Sequence, residues 1–206
     1  MEERLQNCKL PYLTQEELKD LYKDYLRPRD KILDLTQKGD LIPIKRELYL
    51  IGEKYKKIYS REALANIIYG PSAVSFEYAL SFHGLIPERV ETVTSVCFKR
   101  NKQFKTPVGI FTYRYISAEM FPIGTELHVS ESGNFMMATP EKALCDVVYF
   151  QKLKKEEIFE FVTENLRIDE EDFLKLNSEL LHQIADIYKR QSVVNLAQVQ
   201  ILRKGK

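Results

Sequence analysis

The stretch LTQEELKDLYKDYLRPRDKILDLTQKGDLIPIKRELYLIG, residues 13–52, decides how the chain is read. Thr14 and Glu17 stand at the spacing of a capping box, in which each side chain bonds the other residue's backbone N–H. Leu13 and Leu18 flank the cap as a hydrophobic staple. Leu18, Leu21, Tyr22 and Tyr25 then recur at helical spacing and predict one apolar stripe. Pro28 suits the first position of a second helix, where its missing N–H costs nothing. Ile32, Leu33 and Leu35 supply that helix's apolar side, and Gly39 its left-handed stop, with Lys38 beside the negative end of the helix dipole. Two apolar runs, 41–44 and 48–51, then flank the polar Lys45, Arg46 and Glu47, which predicts a β-hairpin. Two short helices at a tight turn followed by a hairpin is the order of a winged helix-turn-helix.

Downstream, the polar stretch 53–59 (EKYKKIY) marks a boundary and divides the chain into residues 1–57 and 58–206. Ser60 caps a helix with Leu64, Ile67 and Ile68 inside, stopped by Gly70-Pro71. A further helix is predicted over 73–83, ending at Gly84. Residues 90–98 turn β-rich, and 109–117 alternate, with Phe111, Tyr113 and Tyr115 on one face. Shorter strands are predicted at 125–129 and 134–138, joined by Ser132-Gly133. Thr139-Pro140 restarts helix, with Ala143, Leu144, Val147 and Val148 as its core side, and 154–202 is helical in pattern. The expectation is an α+β protein: an N-terminal winged helix-turn-helix, then an α+β domain with a small antiparallel sheet and a helical C-terminal tail.

The 206 residues carry 31 Lys+Arg against 30 Asp+Glu, a net charge of +1, so any contact with nucleic acid must come from a local patch rather than from a polycation. Such a patch exists at residues 23–57, with 10 basic residues against 6 acidic ones, a net of +4. Residues 151–191 carry 7 basic and 10 acidic residues, a net of −3, and do not suit DNA. Cys8, Cys97 and Cys145 lie far apart with no CxxC pair, which argues against a zinc ribbon and suits a reducing cytosol. No apolar run approaches the ~20 residues of a membrane helix. These features predict a soluble cytoplasmic protein. No GxxxxGK[ST], GxGxxG or GxSxG motif is present.

Arg27, Arg29, Lys31 and Lys38 on the second helix and Lys45 and Arg46 at the hairpin form the candidate DNA-facing set. In a helix-turn-helix the second helix enters the major groove, where Arg bridges guanine acceptors and Lys meets phosphates. Asp30 and Asp34 on the same helix favour a different reading, a protein-interaction module without DNA binding, in which the winged helix contacts protein and the helical tail docks a partner. Glu141 and Asp146 are the residues a nuclease reading would use. The plainer reading makes Glu141 a favourable charge at a helix N-terminus and Asp146 a backbone partner. Cys145, among apolar residues, reads as a small buried hydrophobe rather than a nucleophile. His83, His128 and His182 lack metal-ligand spacing. Phe111, Tyr113 and Tyr115 read as the buried face of a sheet in preference to a base-stacking platform.

Taken in order, residues 13–52 resemble the N-terminal winged helix of the AbiEi-type antitoxins of type IV toxin–antitoxin systems, a family described as predicted transcriptional regulators of abortive-infection, or viral, defence. ALSFHGLIPE (79–88) and ATPEKALCDVVY (138–149) resemble the family's later hallmark segments, so the resemblance spans about residues 13–149. It implies a module that binds the promoter of its own operon in double-stranded DNA and represses it, and a remainder that counters a nucleotidyltransferase-like toxin encoded alongside. Carried over by position, the DNA-facing residues are Arg27, Arg29, Lys31, Lys38, Lys45 and Arg46. The resemblance brings no catalytic residue and no cofactor. A homodimer would match paired half-sites. At the hairpin turn, where the family usually carries Gly, this chain has Glu47.

Overall fold

The computed structural model describes residues 2–205. Thr14 and Glu17 form the capping box: the Thr14 hydroxyl accepts the Glu17 amide at 3.2 Å, and Glu17 Oε2 accepts the Thr14 amide at 2.7 Å. The N-terminal elements run α1 (Glu3–Gln6), β1 (Tyr12–Thr14), α2 (Gln15–Leu21), α3 (Pro28–Gln37), β2 (Leu41–Lys45) and β3 (Leu48–Ile51). Pro28 occupies the first turn of α3, and Gly39 stops it at φ +69°. Three details differ from the sequence reading. Tyr22 closes α2, so Tyr25 falls beyond it and is exposed. Ile32 and Leu35 are buried, but Leu33 points outward with 56% of its surface exposed. Lys45 belongs to the strand and pairs with Leu48 across a bulge. Glu47 turns the hairpin at φ +64°, the left-handed conformation that glycine adopts without strain.

β1 pairs with β3 and makes a three-stranded antiparallel sheet in the order β1-β3-β2. The two-residue period of β3 splits its side chains. Leu48 and Leu50 join the larger core of the molecule, and Tyr49 and Ile51 join a smaller one built on Leu5, Leu18, Tyr22, Ile32 and Leu35. Tyr12 also reaches across: its hydroxyl donates to the Ser60 carbonyl and accepts the Ser60 amide, both at 2.8 Å.

Ser60 caps α4 (Arg61–Ile68) through the Ala63 amide at 2.9 Å. Next come β4 (Ser72–Val74), α5 (Phe76–Phe82), β5 (Val93–Cys97), β6 (Lys102–Thr106), β7 (Gly109–Tyr115), β8 (Thr125–His128), β9 (Phe135–Ala138) and α6 (Pro140–Tyr149). The sheet is not small and antiparallel. It has six strands in the order β6-β7-β5-β4-β9-β8, with β5–β7 and β4–β9 parallel. Parallel pairs join segments distant in sequence, so no local pattern announces them. The helix expected over 73–83 starts only at Phe76, because Ser72, Ala73 and Val74 are buried between β5 and β9. Phe111 and Tyr113 face the core as expected, while Tyr115, the last residue of β7, is 52% exposed.

The chain ends in helices: α7 (Ile158–Glu160) running into a π-helical stretch at Phe161–Asn165, then α8 (Glu170–Lys175), α9 (Ser178–Tyr188) and α10 (Gln191–Lys204). Thr139 caps α6 as its position predicts. Glu141, Lys142 and Asp146 are not surface charges at a helix start; all three are buried. Lys142 Nζ lies 2.9 Å from Asp146 Oδ1, Ser75 Oγ donates to Asp146 Oδ2 at 2.5 Å, and the Tyr188 hydroxyl bonds both Lys142 and Asp146. The cluster thereby joins the residue before α5 to α6 and α9. Glu141 Oε1 accepts the Asn177 amide at 2.8 Å, ahead of α9. Removing one partner of a buried ion pair leaves an uncompensated charge, which costs about 3–5 kcal/mol. Asp146→Ala is therefore expected to lower stability by about that amount in urea denaturation. The double variant Lys142→Met/Asp146→Leu should recover part of the loss, whereas a single variant as stable as the parent would contradict the clamp.

Candidate nucleic-acid interface

The end of α2 and the turn leading to α3 are held in place by a clamp from α1. Arg4 meets Asp24 through two bonds, Nη1–Oδ1 at 2.5 Å and Nη2–Oδ2 at 2.8 Å, and donates to the Leu21 carbonyl at 2.8 Å. Its guanidinium also lies over the Tyr22 and Tyr25 rings. The Arg4 hydrogen bond holds the Asp24 carboxyl down, at about 2 against an ordinary 3.8. Behind α3, the buried Asp40 pairs with Lys54 at 2.8 Å and accepts the Tyr55 hydroxyl, while burial raises Tyr55 to about 12.

The six basic residues divide according to what holds them. Arg27, at the cap of α3, is exposed, with its nearest carboxylate, Asp30, at 3.8 Å. Arg29 is exposed and unpaired among the described residues. Arg46, at the hairpin turn, has 92% of its side chain in solvent, with Glu47 Oε1 3.6 Å from its Nε. The other three are engaged. Lys31 is only 17% exposed; its Nζ lies 2.9 Å from Glu2 Oε2 and near the Tyr22 and Tyr25 rings. Lys38 pairs with Asp34, one turn back, at 2.7 Å. Lys45 Nζ donates to the Ile68 carbonyl at 2.5 Å, and burial, then Lys99, pushes its pKa down. Lys45 thus caps the C-terminal end of α4, where a cation is favoured by the dipole.

Lys19 on α2 belongs with the free set, although its position in the sequence does not single it out. It lines one concavity with Arg27, Arg29 and Asp30, and a second with Glu16, Lys45, Arg46 and Glu47. A strip with a basic excess, five cations against Asp30, Glu16 and Glu47, therefore runs from the start of α3, over Lys19, to the hairpin turn. The same region carries apolar groups in solvent, Leu26 at 99% exposure and Leu33.

Elsewhere, Asp146 is sealed from solvent with both oxygens bonded, so no substrate reaches it in this conformation. Cys145 is buried, and burial pushes its thiol up, away from nucleophilic reactivity. His83 Nε2 lies 2.9 Å from the Ala138 carbonyl, His128 stacks on Phe135, and His182 Nδ1 lies 2.8 Å from the Ser178 carbonyl. Among the described residues no cluster of three or more His, Cys, Asp or Glu has the placement to hold a metal ion. No described helix is long and apolar enough to cross a membrane.

No family model and no curated protein matches the chain. Among solved structures the chain is similar to the crystal structure of the RV2827C protein from Mycobacterium tuberculosis, with a TM-score of 0.67 and 12% sequence identity, over 99% of this chain and 75% of that one. At that identity the likeness is one of α+β fold.

The Arg4–Asp24 clamp sets a pH dependence. A carboxyl held below its ordinary value contributes stability above that value and loses the contribution as pH falls through its folded pKa. The stability difference between the parent and Arg4→Ala should therefore be present at neutral pH and shrink as pH falls from 3.8 to about 2. Denaturant midpoints across that range measure it; a difference that stays constant would rule out the ion pair as its source.

Proposed function

We propose that residues 1–57 form a winged helix-turn-helix that reads double-stranded DNA, with residues 58–206 as the remainder of an antitoxin-type transcriptional regulator. The order α1-β1-α2-α3-β2-β3 supports this reading, since a helix-turn-helix is followed directly by a hairpin. The observation that carries it is the basic strip joined by Lys19. On α3, Arg29 is free for guanine acceptors and Leu33 for a thymine methyl. Arg27 and Lys19 lie beside it for phosphates, and Arg46 for the backbone or minor groove. The DNA-contacting set is thus Lys19, Arg27, Arg29 and Arg46. Lys31 and Lys45 hold the scaffold, and Lys38 is paired with Asp34 on the exposed side of α3.

The regulatory role rests on the resemblance of residues 13–149 to AbiEi-type antitoxins. On that reading the chain binds the operator of its own operon in the cytoplasm and counteracts a nucleotidyltransferase-like toxin. It works by binding, with no cofactor and no chemistry of its own. A two-fold dimer would match an operator of paired half-sites.

A second reading has its own support. Leu26 and Leu33 are exposed beside Asp30 and Asp34, a surface that suits protein better than phosphate. Electrophoretic mobility shifts with the chain's own upstream DNA separate the two. On the DNA reading a shift appears at low salt, Arg29→Ala costs about 1–3 kcal/mol and relaxes base preference, and Arg46→Ala lowers the salt slope by about 0.9. Lys45→Ala should lower stability instead and leave the slope alone. No shift at any salt concentration would favour the protein-packing reading.

A further inference from the structure

The six-stranded sheet ends differently on its two sides. Its outer strand β6 carries Lys102, Gln103 and Lys105, charges that discourage pairing with another chain. The opposite outer strand, β8, reads Thr125-Glu126-Leu127-His128 and runs on to Val129, with no lysine, arginine or proline. Leu127 is 59% exposed and Val129 78%. An outer strand that displays aliphatic side chains and lacks those guards is open to strand addition.

The hydrogen-bond phase of β8 decides which groups are available. The Thr139 amide donates to the Gly124 carbonyl at 2.8 Å, so Gly124 faces β9. Backbone groups alternate sides along an antiparallel strand, which turns those of Glu126 and His128 toward β9 and those of Leu127 and Val129 outward. The Thr125 amide also points outward and is spent on the Pro122 carbonyl at 3.3 Å. Among the described residues, the Leu127 N–H and C=O, the Thr125 C=O and the Val129 N–H have no partner.

This phase selects the partner. Set a second copy against β8, antiparallel and across a two-fold axis. Leu127 then meets Leu127 of the second copy as a hydrogen-bonded pair, each N–H donating to the other's carbonyl. The Val129 N–H reaches the Thr125 carbonyl of the other copy, twice by symmetry. In the same register Glu126 falls opposite His128, again twice, in non-hydrogen-bonded pairs, where side chains approach most closely. Each carboxylate therefore faces an imidazole donor. His128 is already oriented: its ring stacks on Phe135 at 5.1 Å and meets the Phe82 ring edge-on at 5.7 Å. Any extended peptide could supply backbone bonds, but the side chains of β8 are complementary to β8 itself.

We propose that β8 is a dimerisation strand: two copies join edge to edge through residues 125–129, centred on Leu127, and the sheet of one continues into the other. This supplies a surface for the two-fold dimer of the regulatory reading, yet it stands on β8 alone and is tested without DNA.

Sedimentation velocity of the full chain between about 1 and about 100 μM should show a monomer–dimer equilibrium, as suits a small interface. Glu126→Lys should weaken it roughly tenfold, because two cross-strand pairs change together, and Glu126→Lys/His128→Glu should regain it. Glu126 is exposed, so the melting temperature of the single variant should match the parent. A cysteine scan fixes the register on a Cys8→Ser background, in which the remaining cysteines are buried. Leu127→Cys should oxidise to a covalent dimer, since the Cα atoms of a hydrogen-bonded pair lie about 5.5 Å apart, within disulfide reach. Glu126→Cys, which stands two residues away from its own symmetry mate, should not. A chain that is monomeric at every concentration overturns the proposal. So does a dimer that tolerates Glu126→Lys and fails to cross-link at 127, or one that cross-links as readily at 126. Dimerisation through β8 without any shift of upstream DNA would leave this inference standing and remove the reading of α3.

Discussion

Asp146 is buried one helical turn after the equally buried Lys142, and the architecture around the six-stranded sheet converges on that pair. Taking two opposite charges out of water is favourable only when geometry and further hydrogen bonds satisfy them fully. Here Ser75 and Tyr188 supply those bonds. Their demand fixes where α5 begins and how α9 lies against α6, because neither partner has another source of compensation. Arg114 depends on the same neighbourhood: its guanidinium stacks on Phe76, which follows Ser75 directly, and on Phe150, which follows the last residue of α6.

A comparable division of labour governs the N-terminal basic residues. A lysine whose ammonium closes the end of α4 or anchors Glu2 has no charge left to offer a ligand at close range. What remains free is arginine at the entrance of α3 and at the hairpin turn, with one lysine between. Net charge over residues 23–57 therefore overstates the charge that is free to meet a ligand.

The legible parts of the fold were those set by neighbours three or four positions apart. The Thr14–Glu17 box, Pro28 at the first turn of α3, the Ser60 and Thr139 caps and the hairpin all follow from such spacings. β4 was hidden because three buried residues are too few to establish a period. β6 was hidden because Lys102, Gln103 and Lys105 are poor strand formers in isolation, although lysines on an outer strand are what discourages stray pairing. At the candidate site the Lys38–Asp34 pair was readable from its spacing. The partners of Lys31 and Lys45 lie 29 and 23 residues away and required the tertiary fold. The Lys142–Asp146 spacing was equally visible, but nothing local indicated that both charges would be taken out of water.

The three-stranded sheet is a party wall. Tyr12, Ile44, Leu48 and Leu50 on one side of it belong to the larger core, while α1, α2 and α3 occupy the other. An excised fragment ending near the boundary stretch would carry those four side chains wet, as a contiguous oily face of the kind that drives association. The N-terminal unit is thus not a bead on a string: its orientation is dictated by the body to which it is fused.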